Sequence, residues 1–573
     1  MLTAQLPSFF LFYLGALVIA CLPGERWQWL RGAILLLVPV CSGLLLWAES
    51  PGTTFTLQLM DLQLTPYRAD RLALLFAYLF HIAALIGFIF ALHTRDHLQH
   101  VAAMLYVASA LGAVFAGDFL TLFVHWEMLA VSSVFLILAR QSERAMHAGL
   151  RYLIVQVLSG VLILAAGLLL YVQTGSLEFS FVGLGSVGGW LLLLGFGIKA
   201  GFPLLHGWLV DAYPEATPTG TVLLSAFTTK VAIYALARGF PGTELLVYVG
   251  AAMTCFPIFY AVIENDLRRV LAYSMINQLG FMVCGIGIGT ALALNGAVAH
   301  AFNDVIFKGL LFMAMGAVLY RTGRINGSDL GGLYKSMPKT TALCIVGAAS
   351  ISAFPLFSGF VSKSMIVTAL LQEYRAGADH YQFIWLALLF ASAGVFHHAG
   401  IKIPYFAFYA HDSGIRTTEP PTNMLLAMSL AAFLCIAIGC FPQVLYGLLP
   451  WDVAYNPYDL THVLTQLQLL CFAALAFAWL NIRGLYPPEL HSVNLDVDWL
   501  YRRWVPLRLR NLEGGLVSLW QWCKQGGRRI LLALIAVGPR SYNQERLMEP
   551  KPTSEMLLWV ALLLMMFVIL SNI

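Results

Sequence analysis

Hydrophobic residues dominate this chain in long runs, which short polar segments separate. A run of about 20 apolar residues can cross a bilayer as a helix. The pattern predicts sixteen such spans, at 7–23, 32–48, 71–92, 99–116, 118–138, 150–172, 188–204, 217–237, 244–263, 270–289, 293–320, 341–372, 381–409, 422–443, 461–482 and 555–572. We therefore predict an all-α polytopic membrane protein. The first run lacks a basic leader and a cleavage site, so we expect a retained helix rather than a signal peptide.

Two stretches of similar sequence interrupt the apolar pattern. GIKAGFPLLHGWLVDAYPEATPTG, residues 197–220, has Lys199 just before its Gly and Pro, and AFPLFSGFVSK, residues 353–363, has Lys363 just after its Pro. Such breaks free backbone carbonyls and admit water, and paired breaks in two halves of a chain are typical of transport sites built from discontinuous helices. The two stretches therefore predict an ion pathway.

Composition and charge agree with a membrane location. Hydrophobic residues make up 60% of the 573 residues and charged residues only 11%, whereas a soluble domain carries about a quarter charged residues. The net charge of +4 is too small and too dispersed to indicate nucleic acid. Loops after odd-numbered spans, up to the thirteenth, hold thirteen Arg and Lys against four after even-numbered spans. This bias predicts cytoplasmic odd-numbered loops and an N-terminus outside.

Motifs for cofactors and metals are not apparent. The nine cysteines form no C-x-x-C pair, which argues against iron–sulfur, zinc and disulfide sites. GLGSVG, residues 183–188, matches G-x-G-x-x-G but precedes an apolar span, so we interpret it as a turn of small residues rather than a nucleotide fingerprint. We expect no cofactor and no redox chemistry by this chain alone.

Ionisable residues inside the spans are the candidate functional groups: Glu127, Lys199, Lys230, Lys308 and Lys363. Each costs roughly 2.5–3.5 kcal/mol at a helix centre and needs a partner or water. A static buried ion pair that fixes helix packing is the alternative for any one of them. Four lysines against one carboxylate do not suit static pairing, so the set favours proton transfer.

Histidines add candidates to this set. His300, Asp304 and Lys308 fall at i, i+4 and i+8, on one face of a helix, and a histidine beside fixed charges can relay protons near neutral pH. His206, in the first broken segment, is a candidate link from Lys199 to the next site.

Other histidines allow a plainer interpretation. His125 has apolar neighbours and is interpreted as a packing residue. His397 and His398, followed by Lys402, lie near the end of a span, where a lysine reaching towards the headgroups is as good an explanation as transport.

The C-terminal part is the most basic. Residues 483–554 mix Trp, Leu and Arg at spacings that suit a helix lying in the membrane interface, with a helix at 530–537 that is too short to cross, and a final span follows. We interpret the tail as a lateral brace for a neighbouring subunit; a tail held only at lipid headgroups is the alternative.

Five runs, GDFLTLFVHWE, GIKAGFPLLHGWLVDA, LRRVLAYSMINQLGFM, HAFNDVIFKGLLFM and FPLFSGFVSK, occur between about residues 70 and 410. The order and the sequences of these motifs resemble those of the antiporter-like subunits shared by respiratory complex I and the multisubunit Mrp-type sodium/proton antiporters. The resemblance is to the branch of the Mrp D subunits in particular. The resemblance implies about 14 core transmembrane helices, with two inverted five-helix repeats that each form a half-channel around a broken helix. It also implies a bacterial inner membrane.

The domain boundaries that follow from this resemblance are N-terminal helices at 1–98, a first repeat at 99–240, a second repeat at 241–410, core helices at 411–482, a lateral segment at 483–554 and a terminal span at 555–573.

Carried over by motif, the resemblance assigns roles to the buried residues. Glu127 is the carboxylate paired with Lys199, Lys230 connects the two halves, His300 and Lys308 continue the relay, and Lys363 faces the exit. Asp304 departs from the family, where many relatives have a second histidine. This acid is expected to raise the proton affinity of His300, and it is a candidate for binding a cation.

Three functions remain open from the sequence. The first is a proton-carrying subunit of a multisubunit cation/proton antiporter, with sodium as the expected cation and other membrane subunits as partners. The second is the proton-pumping arm of a complex I or hydrogenase-type redox complex, without a redox centre of its own. The third is a proton channel that energises a bicarbonate-uptake partner.

Overall fold

The computed structural model describes residues 7–491, 494–541 and 553–571. Its helices are α1 (Phe10–Ala20), α2 (Gln28–Trp47), α3 (Arg71–Ala91), α4 (His97–Phe115), α5 (Phe119–Leu138), α6 (Glu143–Thr174), α7 (Val187–Ala200), α8 (Gly207–Ala212), α9 (Pro218–Ala226), α10 (Thr228–Gly239), α11 (Leu245–Ile263), α12 (Leu267–Ile288), α13 (Ala291–Thr322), α14 (Pro338–Ile351), α15 (Ser358–Arg375), α16 (Tyr381–Val395), α17 (Thr422–Cys440), α18 (Pro442–Tyr446), α19 (Leu460–Ile482), α20 (Val505–Ser541) and α21 (Thr553–Ser571). Short 3-10 turns cover Glu25–Trp27, Gly327–Asp329 and Leu333–Lys335, and π-helical turns cover Phe396–Lys402, Tyr405–Tyr409 and Leu500–Trp504.

The prediction of an all-α polytopic membrane protein is confirmed. Within the described ranges, twelve helices are long and apolar enough to cross a bilayer. The other four predicted spans correspond to shorter apolar helices, which are α1, α7, α14 and the stretch Met556–Met565 of α21. The repeat architecture and its boundaries stay a prediction.

One hairpin was not predicted. Strands β1 (Thr53–Leu59) and β2 (Leu62–Ala69) pair antiparallel between α2 and α3. Polar and apolar residues alternate along TTFTLQL from Thr54 to Leu59, which is the period of a strand, and Met60 takes a positive φ of 53° at the turn. The hairpin packs against the start of α5, where the Thr65 amide donates to Asp118 at 2.7 Å.

The centre of the bundle consists of α10, α12 and α13. Every residue of Leu292–Val318 in α13 is buried, and α12 is buried from Val270 to Gly287. Helices buried on all sides inside a membrane protein place their polar residues against other helices rather than lipid. Polar side chains on these helices therefore face each other in the protein interior.

The chain divides into two compact units, Met1–Asp498 and Trp499–Ile573. In the second unit, the expectation of a separate short helix at 530–537 is wrong, because α20 runs without a break over 37 residues, about 55 Å at the helical rise. Each glycine in α20 costs only about 1 kcal/mol relative to alanine, which does not break the helix.

Candidate proton pathway

The first break of the backbone places Lys199 at the end of α7. Gly201 follows α7 with φ 76°, and Leu204 has φ 70°, so the chain turns twice before α8. Lys199 is fully buried, and its Nζ donates to the Trp126 carbonyl at 3.2 Å. The same Nζ lies 4.3 Å from the centre of the Trp126 ring, a cation–π contact.

Glu127 follows Trp126 on α5 but faces a different neighbour. Its carboxylate packs directly on Gly160 of α6, where a β-carbon would overlap Oε1. Oε1 accepts no hydrogen bond from a described residue, and no ion pair in the described part of the chain joins Glu127 to Lys199. The expected partners therefore form no ion pair: Lys199 contacts Trp126, and Glu127 packs on Gly160.

Lys230 forms the centre of the site. It lies on α10, and its Nζ is 2.6 Å from Asp304 Oδ2 on α13, with both side chains fully buried. The Nζ also donates to the Ser225 carbonyl at 3.0 Å, at the junction of α9 and α10. Asp304, which the sequence singled out as unusual, is thus the direct counter-charge of Lys230.

Lys308 and His300 flank Asp304 on α13, one turn to each side. Lys308 Nζ donates to Ser274 Oγ at 2.8 Å, and His300 Nε2 lies 3.1 Å from Gln278 Oε1. Because an amide oxygen only accepts, Nε2 carries the proton, and His300 Nδ1 accepts from Ser362 Oγ at 3.0 Å.

The Ser362 hydroxyl suits both protonation states of His300. It also lies 3.4 Å from the Ser358 carbonyl. If His300 gains a proton on Nδ1, the hydroxyl can rotate to accept from the ring and donate to this carbonyl.

Lys363 lies on α15, after the second break. Ala353 has φ 57° and Leu356 has φ 72° in the turn between α14 and α15. Lys363 Nζ donates to the Ile351 carbonyl at 2.9 Å, the last residue of α14, and lies 5.0 Å from the centre of the Phe281 ring. The lysine thus donates to a carbonyl that has no helical partner because the helix is broken there.

His206 contacts a segment after α19 that was not predicted to belong to the site. We call residues 486–491 and 494–498, which follow α19, the acidic strap. Its Asp496 lies 3.3 Å from His206 Nε2, and Tyr273 donates to Asp496 Oδ2 at 2.7 Å. His206 therefore has its partner on the strap, and its proposed link to Lys199 stays a prediction.

The remaining histidines differ from one another. His125 Nδ1 lies 3.0 Å from the Tyr13 hydroxyl, as a satisfied packing residue does. Lys402 does not extend towards the headgroups, since it is fully buried and its Nζ lies 2.9 Å from Glu489 of the strap. His398 is fully buried, and among the described residues its ring is paired only with the backbone of Gly394, one turn earlier in the same helix.

The structure thus brings Lys230 of α10 together with Asp304, Lys308, His300 and Lys363 around α13. One carboxylate can balance only one of three ammonium groups, and an uncompensated buried charge is costly. Each proton bound or lost therefore changes the electrostatics of its neighbours strongly, which is what a proton relay requires.

Three residues that form hydrogen bonds with Lys308 or His300 were not predicted as site residues: Ser274, Gln278 and Ser362. All three belong to polar positions inside apolar spans. A buried polar group needs a hydrogen-bond partner, so the occurrence of a polar residue inside an apolar span could have identified all three.

Comparison with known proteins gives the same assignment for the middle of the chain. Residues 116–394 match the family model described as NADH:quinone oxidoreductase/Mrp antiporter, transmembrane. The chain is 30% identical over 370 residues to hydrogenase-4 component B of Escherichia coli, which covers 58% of this chain and 55% of that protein. The chain thus spans about half the length of this relative.

Two further relatives represent the two branches of the family. The D subunit of the Na⁺/H⁺ antiporter of Alkalihalophilus pseudofirmus is 31% identical over 313 residues, 51% of this chain and 64% of that one. The N subunit of NADH-quinone oxidoreductase of Desulforudis audaxviator is 30% identical over 388 residues, 60% of this chain and 75% of that one.

Among solved structures, a chain of the Mrp complex from Dietzia sp. DQ12-45-1b superimposes with a TM-score of 0.74, over 95% of this chain and 63% of that chain. At 23% identity, this match shows a shared fold. The resemblance found in the sequence motifs is confirmed: the chain belongs to the NADH:quinone oxidoreductase/Mrp antiporter transmembrane family.

Proposed function

We infer that this chain is a proton-translocating subunit of a multisubunit cation/proton antiporter of the Mrp type, similar to the D subunits of such antiporters, in a bacterial inner membrane. Protons move along Glu127, Lys199, His206, Lys230, His300, Asp304, Lys308 and Lys363, with sodium as the coupled cation and other membrane subunits as partners. The two regions at 99–240 and 241–410 act as half-channels that meet at Lys230.

The observation that carries this proposal is the pair of Lys230 and Asp304 at 2.6 Å in the fully buried centre of the bundle. It lies between lysines at the two broken helices, Lys199 and Lys363. Buried ionisable groups are costly, and a static pair gives no reason for Lys308 and Lys363 beside it. A pathway in which each proton alters its neighbour's charge does give a reason.

A redox-driven proton pump is the second candidate. It is supported by the similarity to hydrogenase-4 component B and to the N subunit of NADH-quinone oxidoreductase. In that case this chain supplies the membrane pathway, and electron transfer takes place in other subunits. Genes for iron–sulfur subunits next to this one favour the redox pump, and genes for other Mrp-like subunits favour the antiporter.

The test uses everted membrane vesicles that contain the full chain with the products of its neighbouring genes, and a pH-sensitive dye. Lys230→Met and Glu127→Gln are expected to lower proton transport at least about tenfold, because each removes a titratable group. Lys339→Met, at an exposed position in the first turn of α14, is the matched control and is expected to transport normally.

Sodium dependence separates the two candidate functions. Transport stimulated by sodium without an electron donor supports the antiporter, and transport that requires an electron donor supports the redox pump. Wild-type transport in both Lys230→Met and Glu127→Gln, at equal amounts of inserted protein, contradicts a proton pathway through these residues.

A further inference from the structure

Lys402 lies in a second buried cluster of charge that the pathway described above does not use. We call the side of the bundle that carries the loops after the odd-numbered predicted spans, including 139–142, 264–266, 323–337 and 410–421, the basic face, because the Arg and Lys residues of the loops are concentrated on that side. Lys402 lies near this face, at the end of the π-helical turn Phe396–Lys402, and it is fully buried. Its Nζ lies 2.9 Å from Glu489 of the acidic strap, whose side chain is only 6% exposed.

Helix capping accounts for part of this arrangement. Lys402 Nζ donates to the carbonyls of Val262 and Glu264, at 2.7 and 2.6 Å, at the C-terminal end of α11. A cation at a helix C-terminus is stabilising. This role explains a lysine at position 402 and a carboxylate beside it, but it gives no function to the residue one turn earlier.

That residue is His398. It is completely buried, and its only hydrogen-bond partner in the described ranges is the backbone of Gly394, so one ring nitrogen has no partner, although a buried polar group almost always has one. Its charged neighbours are Lys308, His397 and Lys402. His398 is therefore close enough to interact electrostatically with both Lys402 and Lys308.

The backbone around His398 is also unusual. A π-helical turn inserts one residue into a helix and occurs frequently at functional sites. Gly400, inside this turn, packs directly on Ser352 at the end of α14, where a β-carbon would overlap Ser352 Oγ. The π-helical turn thus packs directly against the second broken helix.

We propose that Glu489, Lys402 and His398 form a side branch that delivers protons from the basic face to Lys308. This proposal rests on the proposed function, because Lys308 is a member of that pathway. The ligand of the site is the proton, taken from hydronium or water at the rim of the strap.

The transfer balances as four steps. A proton from the basic face protonates the Glu489 carboxylate, which weakens its hold on the Lys402 ammonium. Lys402 then gives a proton to the neutral His398 ring, and the imidazolium gives a proton from its other nitrogen to Lys308 in its amine form. Glu489 finally returns its proton to the Lys402 amine, so that one proton has moved inward and the pair is restored.

The groups around Glu489 agree with a proton-accepting role. Burial is the largest influence and raises the pKa of Glu489, attraction to Lys402 lowers it, and the nearby Glu264 raises it further, for a net rise. The carboxyl group therefore binds a proton more readily than an exposed glutamate, while it stays within reach of the basic face.

His398→Phe is the decisive variant, because the phenyl ring loses only the bond to the Gly394 backbone of the same helix. His100 provides a matched control: it is also a buried histidine on a membrane helix with a single backbone partner, at Thr94, but its charged neighbours are Arg31, Asp96 and His97. In the vesicle assay, His398→Phe is expected to lower proton transport about tenfold or more, and His100→Phe to leave it unchanged.

Glu489 provides an independent second test. Glu489→Gln keeps an oxygen near Lys402 but binds no proton, so transport is expected to fall about tenfold, whereas Glu489→Asp is expected to restore part of the rate. A capping role alone predicts normal transport for Glu489→Gln at equal amounts of inserted protein. The variants Glu489→Gln and Glu489→Asp test the side branch if His398→Phe does not accumulate in the membrane.

The outcomes separate this proposal from the proposed function. Normal transport in His398→Phe or in Glu489→Gln, together with lost transport in Lys230→Met, overturns the side branch and keeps the main pathway. Normal transport in Lys230→Met and Glu127→Gln overturns the proposed function itself, and the side branch with it.

Discussion

The two broken helices turn at closely similar sequences, Gly-Phe-Pro-Leu at 201–204 and Ala-Phe-Pro-Leu at 353–356. In both, the first and the last of these four residues have positive φ: 76° and 70° in the first break, and 57° and 72° in the second. The backbone of the two breaks is therefore nearly the same, although the chain is separated there by about 150 residues of sequence.

The breaks differ in the side chains that donate to their carbonyls. In the first break, the Ile198 carbonyl accepts from the Gly201 amide at 3.2 Å and from Trp208 Nε1 at 2.8 Å, and Lys199 is directed instead to Trp126. In the second break, Lys363 donates to the Ile351 carbonyl itself. An indole keeps its proton, whereas an amine can exchange one. The donor at the first break, Trp208, therefore has a structural role, whereas the donor at the second break, Lys363, is a titratable group.

The largest expected effect comes from the two carbonyl donors. Lys363→Met keeps the length of the side chain and removes its proton, so proton transport in the vesicle assay is expected to fall at least about tenfold. Trp208→Phe is expected to lower the stability of the purified protein by about 1 kcal/mol, the net contribution of one buried hydrogen bond, with transport retained, because the Ile198 carbonyl keeps its bond from the Gly201 amide. Equal loss of transport in both variants would mean that the two breaks do not differ in function.

A smaller effect is expected from the first residue of each turn. A residue with a β-carbon at left-handed φ costs roughly 1–2 kcal/mol, and glycine avoids this cost. Gly201→Ala, where the site has room for a methyl group, is expected to lower the free energy of unfolding by about 1 kcal/mol. Ala353→Gly is expected to raise it by up to about 1 kcal/mol, because part of the gain is lost to the entropy of glycine. Thermal unfolding in detergent measures both, and shifts of the same sign would contradict the similarity of the two turns.

The smallest effect concerns the acidic strap, which contacts His206 after the first break and Lys402 near the second. Burial alone would raise the pKa of Asp496, but the hydrogen bond and charge of His206 and the bond from Tyr273 lower it below its usual value. The pKa of Glu489 is raised, chiefly by burial. The two acids therefore affect stability with opposite dependence on pH.

The signs follow from linkage. A lowered pKa means that Asp496 contributes stability above its unfolded pKa of about 3.9 and loses it as the pH falls through the folded value. A raised pKa means that the contribution of Glu489 is complete below its unfolded value of about 4.3 and is lost as the pH rises through the folded value. Hydrogen exchange across the strap is expected to increase in acid near Asp496 and towards neutral pH near Glu489. Asp496→Asn and Glu489→Gln should each remove one of the two trends, and unchanged trends in these variants would show that other groups cause them.

The sequence determined the membrane class, the positions of both breaks and most of the buried ionisable residues. Apolar length, proline and an isolated lysine in a span are local signals, and bilayer energetics leave few alternatives for them. The alternating pattern of the hairpin at 53–69 was also readable, but its strands are too short to register as apolar spans. The short helix expected at 530–537 is part of the continuous α20, whose glycines each cost only about 1 kcal/mol relative to alanine.

Only the tertiary structure decided which groups meet. Lys230 pairs with Asp304, 74 positions along the chain, and His206 meets Asp496 across 290 positions. The periodicity of a sequence does not specify such contacts. They depend on how separate helices pack and on which side chain forms a hydrogen bond with each unpaired carbonyl. For this reason the sequence identified Lys199 and Glu127 as candidates but could not show that Lys199 contacts Trp126 instead of forming an ion pair with Glu127. It also gave no sign that a segment after α19 supplies the carboxylates for His206 and Lys402.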